Sequence, residues 1–212
     1  MAVGAKSVFN EPFGNAAFEV IHLPIPNAEN ISQILQKISE LATQHNIAGF
    51  IFEPLVQGSG GMLMYDAEYL EQMIIHCQNL DIICIADEVM TGFGRTGAMF
   101  ACDHLEVSPD IFCFSKGLTG GYLPLGVTSC TSKIYHTFLE KDPKKTFYHG
   151  HSYTANPLAC TAGAASLEIF HQPNYIDEIV RITFKHQSFL HQLKSNPKVE
   201  NPRQTGTILA FD

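Results

Sequence analysis

Three short runs of this chain, 47–53, 81–87 and 110–116, are apolar at almost every interior position. A strand with one wet face alternates apolar and polar residues, so runs apolar on both parities belong inside a sheet covered on both sides. Stretches of helical periodicity stand between them. Residues 30–45 place Ile31, Ile34, Leu35, Ile38 and Leu41 at helical spacing, and 66–80 form a second such segment with Asp66 at its N-cap position. Strands alternating with helices predict an α/β fold with a mainly parallel sheet and helices on both faces. A fourth apolar run at 123–130, helices at 132–141, 155–170 and 174–193, and a strand beginning at 206–211 complete the pattern. Residues 1–28, punctuated by Gly4, Pro12, Gly14, Pro24 and Pro26, read as loop with short extended pieces.

At 212 residues and 45% hydrophobic content the chain can bury a sizeable core, which argues against disorder. Its formal net charge of −8, with no Lys/Arg cluster, makes it a poor partner for nucleic acid or an anionic membrane. No apolar stretch is long enough for a transmembrane helix, and the first residues lack the pattern of a signal peptide. The six cysteines include no C-x-x-C pair and several sit in apolar runs. They read as buried reduced thiols of a cytoplasmic protein, with a zinc site or a disulfide framework as the alternative.

In parallel sheets ligands bind at the carboxyl ends of the strands, and two ionisable residues stand there. Asp87 closes the run 81–87 and precedes a glycine-rich stretch. It can cap that loop, pair with Arg95, or aim an anion at a bound cation. Lys116 follows Ile-Phe-Cys-Phe and opens into Gly117-Leu-Thr-Gly-Gly121. Burying an ammonium is costly, so a lysine in this place either snorkels to water or is kept for chemistry with a carbonyl, where desolvation lowers its pKa.

Three motifs occur in order: Ala-Asp-Glu-Val-Met-Thr-Gly-Phe-Gly-Arg-Thr-Gly at 86–97, Pro-Asp-Ile at 109–111, and Ser-Lys-Gly-Leu-Thr-Gly-Gly-Tyr-Leu-Pro-Leu-Gly at 115–126. Together they resemble the class III aminotransferases of fold type I, which use pyridoxal 5'-phosphate. Within that family the stretches 53–65, 97–104 and 148–160 are similar to the branch that serves biotin biosynthesis. The resemblance implies transfer of an amino group from S-adenosylmethionine to 8-amino-7-oxononanoate by a cytoplasmic homodimer. Lysine as donor stays open, as does another class III reaction on ornithine, 4-aminobutyrate or a β-amino acid.

The resemblance also implies residue roles. Lys116 is the covalent anchor of the cofactor, the base of the proton shift and a substrate contact, and Asp87 pairs with the pyridine nitrogen. Val89 packs on the ring, or is plain core. Gln57 meets the ring hydroxyl, or caps its own turn. Gly150 falls at a substrate contact, and His151 and Ser152 reach the phosphate of the neighbouring subunit's cofactor. His149 and His151 could pair on a metal, but no third ligand stands at suitable spacing. Arg95 binds a substrate carboxylate or, the preferred reading, pairs with Glu88.

Residues 1–172 are expected to be an incomplete cofactor-binding large domain and 173–212 the start of a small C-terminal domain. The chain reads as truncated at both ends. The family's phosphate cradle, its stacking aromatic residue and its arginine for the substrate carboxylate have no counterpart here, which leaves an inactive fragment as an alternative.

Overall fold

A computed structural model describes residues 3–4, 11–16 and 18–212 of the chain. The loop expected over 1–28 therefore lies partly outside the described residues; the described ones include a 3-10 turn at Glu11–Ala16 and coil over 18–27. Helix α1, Ile31–Gln44, buries the stripe Ile31, Ile34, Ile38 and Leu41. Strand β1, Gly49–Phe52, follows. A small hairpin of β2, Val56–Gln57, and β3, Leu63–Met64, comes next, where the glycines and Pro54 had suggested only loop. Helix α2, Ala67–Asn79, turns Leu70, Met73, Ile74 and Cys77 inward. Asp66 holds the N-cap position, but its exposed side chain makes no capping hydrogen bond.

Strands β4, Ile83–Asp87, and β5, Ile111–Phe114, are followed by β6, Val127–Cys130. One sheet runs in the order β1–β4–β5–β6; β1, β4 and β5 are parallel and β6 is an antiparallel edge. The strand expected over 123–130 is shorter because Ser115 Oγ and Thr119 Oγ1 donate to the carbonyls of Leu125 and Leu123 and hold that segment as a loop. Helix α3, Ser132–Thr137, stops four residues short of the expected 141: it buries no residue, and Phe138 and Leu139 close it with three-residue turns. Helix α4, Pro157–Phe170, starts on Asn156, whose side chain accepts from Ala159 N, and α5 spans Tyr175–Lys194. The hairpin β7, Arg203–Thr205, and β8, Ile208–Ala210, packs on α5.

Residue parity divides the sheet. Cys84 and Ala86 of β4 are fully buried beneath α2, in one core with Phe52, Leu70, Ile74 and the α1 stripe. Ile85 and Asp87 point to the other face, which is only half covered. Beside it α4 packs on the turn that follows β5. A ring cluster joins these parts: Phe93 lies 5.3 Å from Phe170 and 6.1 Å from Phe114, and Phe170 lies 4.9 Å from Tyr175. No helix among the described residues is long and apolar enough to cross a membrane.

Candidate active site

Three adjacent parallel strands end on ionisable residues. Glu53 follows β1, Asp87 closes β4, and Lys116 stands two residues beyond β5. All three line one open cavity of about 430 Å³, together with Val89, Met62 and Ser59. Both sequence-level anchors thus meet in one place.

Lys116 is held rather than merely located. Its φ of 47° lies in the left-handed region, a strain of about 1 kcal/mol or more for a side-chain-bearing residue. Ser115 is tied to Leu125 O at 2.6 Å, Leu118 N bonds Ser115 O at 3.1 Å, and Ser166 Oγ of α4 donates to Gly117 O at 3.1 Å. A Cβ on Gly117 would stand 2.8 Å from the Phe93 ring, so only glycine lets the turn close on that loop. The desolvated setting expected for the lysine is not found. Lys116 is exposed, because the half-covered sheet face supplies no wall over it.

Asp87 is half-buried; its Oδ1 accepts from Val89 N at 3.1 Å. It therefore caps its loop and faces the cavity at once, two uses the sequence had offered as alternatives. Val89 is also half-buried on the cavity wall. Behind Asp87, burial first and the neighbouring Asp87 second push the Cys113 thiol up.

Glu53 was legible as part of a motif but not as a site residue. Its Oε2 accepts from Gly58 N at 2.8 Å, and its carbonyl accepts from Tyr65 Oη at 2.5 Å. Burial pushes its carboxyl above the ordinary value; the Gly58 N–H opposes this, Asp87 adds to it, and Lys116 opposes it. The signal that could have found it is the rule that exposed Asp87, an acid at the carboxyl end of a parallel strand.

Other expected residues lie elsewhere. Gln57 packs over Gly60 of its own loop and is not on the cavity wall. Gly150, His151 and Ser152 are exposed in a self-contained turn, where His151 N donates to Thr154 Oγ1 and Tyr153 N to His151 Nδ1, and they do not line this cavity. No group of three metal-ligating side chains occurs among the described residues, with His149 and His151 or without them. The Arg95–Glu88 ion pair does not form. Glu88 turns inward and is fully buried, accepting from Thr91 Oγ1 at 2.5 Å, Cys102 N at 2.8 Å and Ala101 N at 3.1 Å, while Arg95 points to solvent. All six cysteines are free; Cys77 and Cys84 are buried as expected, but Cys130 and Cys160 are exposed.

The donor set suits the reactive end of pyridoxal phosphate. There is an amine for its aldehyde, a carboxyl group for its ring nitrogen and an aliphatic side chain for its ring face. For the phosphate the cavity walls offer the Ser59 hydroxyl and little else.

Residues 1–212 match the aminotransferase class-III family. The chain belongs to that family. Its members depend in general on pyridoxal phosphate. The chain is 45% identical, over its whole length, to adenosylmethionine-8-amino-7-oxononanoate aminotransferase of Synechococcus elongatus, of which it covers 51%. It is 35% identical, again over its whole length, to the enzyme of that name from Staphylococcus aureus, covering 50%. The crystal structure of the same-named enzyme from Methanocaldococcus jannaschii superposes with a TM-score of 0.88 at 39% identity, over 97% of this chain and 48% of that one. An (S)-enantioselective omega-transaminase from Thermomicrobium roseum gives 0.79 at 32% identity, over 87% and 41%. The chain thus spans about half the length of the relatives it matches.

Proposed function

We propose that this chain carries the lysine–aspartate core of an aminotransferase that converts 8-amino-7-oxononanoate to 7,8-diaminononanoate, with S-adenosylmethionine as amino donor and pyridoxal 5'-phosphate as cofactor. The observation that carries the reading is the meeting of Lys116 and Asp87 in one cavity at adjacent strand ends. The names of relatives 35–45% identical to the chain supply the substrates. Bound here, the cofactor supplies an electron sink. Lys116 Nζ would hold it covalently and would take up and return the substrate's proton, Asp87 would hold a proton at the ring nitrogen, and Val89 would pack on the ring face. Gln57 approaches the ring hydroxyl only if its loop turns inward.

Residues 1–172 serve as the cofactor-binding part and 173–212 as the start of a second domain. Gly150, His151 and Ser152, exposed and away from the cavity, suit a contact with a second subunit's site in a homodimer. Six unpaired cysteines suit a reducing, cytoplasmic setting.

The test is to add pyridoxal phosphate and follow the visible absorption of the lysine-bound cofactor. The band should form in the wild type and vanish in Lys116→Ala; a band surviving in that variant overturns the assignment. S-adenosylmethionine should then donate the amino group where ornithine and 4-aminobutyrate do not, with lysine run as the alternative donor. Because one hydroxyl is a meagre phosphate site, the 212 residues alone should turn over little. A normal rate from them would show that the cavity already suffices.

A further inference from the structure

The loop 58–62 forms one wall of the cavity and is anchored from two directions. At its start Gly58 N is held by Glu53, and Met62 N closes back on Gly58 O at 3.3 Å. Between these anchors Ser59, Gly60 and Gly61 are exposed. Gly61 and Met62 both take left-handed conformations, with φ of 95° and 53°. A methionine in that region reverts readily to extended backbone unless its carbonyl is fixed from outside.

The fixing group comes from the far end of the chain. Arg203 Nε donates to Met62 O at 3.0 Å, and Nη2 donates to Gly61 O at 2.6 Å. The other donors turn to the second hairpin: Nη1 meets Asn201 O at 2.7 Å, and both terminal nitrogens meet the Asp212 carboxylate at 3.1 Å. Every N–H of the guanidinium thus has an acceptor, and the side chain is only 18% exposed. Glu200 and Asp212 exchange backbone bonds of 2.7 and 2.8 Å beside it, and Thr205 Oγ1 reaches Met64 Sδ at 3.1 Å. The same segment grips the loop after β4: Thr207 N and Oγ1 bond Arg95 O, and Gly206 lies so close to Thr96 and Gly97 that a Cβ would overlap their backbone.

We infer that Arg203 is a positioning residue, which clasps the Gly61 and Met62 carbonyls and so fixes Met62 as a wall of the cavity, making the C-terminal hairpin part of substrate recognition. The inference rests on the transamination reading only for what the wall recognises. Met62, with its neighbour Met90, presents flexible thioethers suited to an aliphatic substrate chain. Lysine cannot replace the clasp, because a point ammonium does not span two carbonyls and a carboxylate in one plane.

The experiment uses the cofactor-loaded protein with Arg203→Met, Arg203→Lys and Asp212→Asn. Hydrogen exchange is read over 56–65, whose amides include the bonded Met62 and Tyr65, and over α2 and β4. Arg203→Met should speed exchange in 56–65 by about tenfold or more, the equivalent of one charge-assisted bond lost, and leave α2 and β4 unchanged. KM for 8-amino-7-oxononanoate should rise by a similar factor with kcat almost constant. Arg203→Lys should behave like Arg203→Met, and Asp212→Asn, which keeps both carbonyl contacts, should do much less. Exchange that is unchanged at 56–65, or raised equally everywhere, overturns the inference, as does a loosened loop with an unaltered KM. A wild type that forms no lysine-bound cofactor band refutes the function proposed above, while exchange at 56–65 still decides for or against the clasp.

Discussion

Glu88 offers the sharpest test of how the site is built. It is fully buried beside Asp87 and takes three hydrogen bonds, from Thr91 Oγ1, Ala101 N and Cys102 N. Those bonds fasten the loop 91–104 over the end of β4. Replacing Glu88 with alanine strands two backbone N–H groups in a buried place, since only the Thr91 hydroxyl can rotate to another partner. At about 1–3 kcal/mol for each orphaned donor, the loss is roughly 2–6 kcal/mol. Glutamine keeps one acceptor oxygen. Placed towards Cys102 N it retains that bond, and its amide can donate to Thr91 Oγ1, which leaves Ala101 N alone without an acceptor. The cost falls to about 1–3 kcal/mol. A urea titration separates these: with a slope of about 2 kcal/mol per molar, the midpoint drops by roughly 0.5–1.5 M for glutamine and further for alanine. Exchange at Ala101 and Cys102 reports the stranded donors directly. If both variants cost the same, or glutamine costs nothing, the three bonds do not fasten the loop and the account is wrong.

Two further outcomes follow from the ionisable groups. Burial raises the Glu53 carboxyl above its ordinary 4.5, so the folded state holds that proton more tightly than the unfolded one. Stability from this group is complete below pH 4.5 and fades as pH rises through the raised value. Glu53→Gln keeps an acceptor for Gly58 N and has no proton to lose, so it should gain stability relative to wild type as pH climbs from about 4 to about 7; a relative loss would show that the anion is favoured there. Burial also pushes the Cys102 and Cys113 thiols up. At about pH 8 an alkylating reagent should reach exposed Cys130 and Cys160 first and spare Cys102 and Cys113 until denaturant is added; equal rates for all four would contradict the burial.

What could be read from sequence was what repeats along a strand or helix. β1, β4 and β5 declared themselves because both parities are apolar, and α1 because its stripe is continuous. The β2–β3 hairpin did not, since two-residue strands between glycines carry no period. The direction of β6 was equally hidden: Val-Thr-Ser-Cys says strand but not which way it runs. Site residues divide likewise. Lys116 and Asp87 were marked by strand ends and motif. The clasp of Arg203 was invisible, because the loop groups it holds are carbonyl oxygens of Gly61 and Met62, remote in sequence, and a carbonyl leaves no trace in residue type. Arg95 and Glu88 misled in the opposite way. Nearness in sequence suggested a pair, but the turn between them points one outward and the other in.

That turn also explains why two acids stand side by side at the end of β4. Successive residues of a strand face opposite sides of the sheet. Ala86 is fully buried beneath α2 and Glu88 continues inward, its N–H still on the ladder to Cys113 O at 3.0 Å. Asp87 must then face the cavity. One acid fastens the loop and its neighbour serves the ligand, and a shift of one residue in register would exchange the jobs. Strand spacing sets the scale across the sheet. Adjacent strands lie about 4.8 Å apart, so the ends of β1 and β5 are separated by about 10 Å with β4 between them. A single ring bearing an aldehyde and a basic nitrogen is short enough to meet Lys116 on one strand end and Asp87 on the next, with Glu53 beyond. The order β1–β4–β5 thus places a carbonyl-reactive amine beside a carboxyl group at one ring's reach, and that spacing is fixed by the backbone before any side chain is chosen.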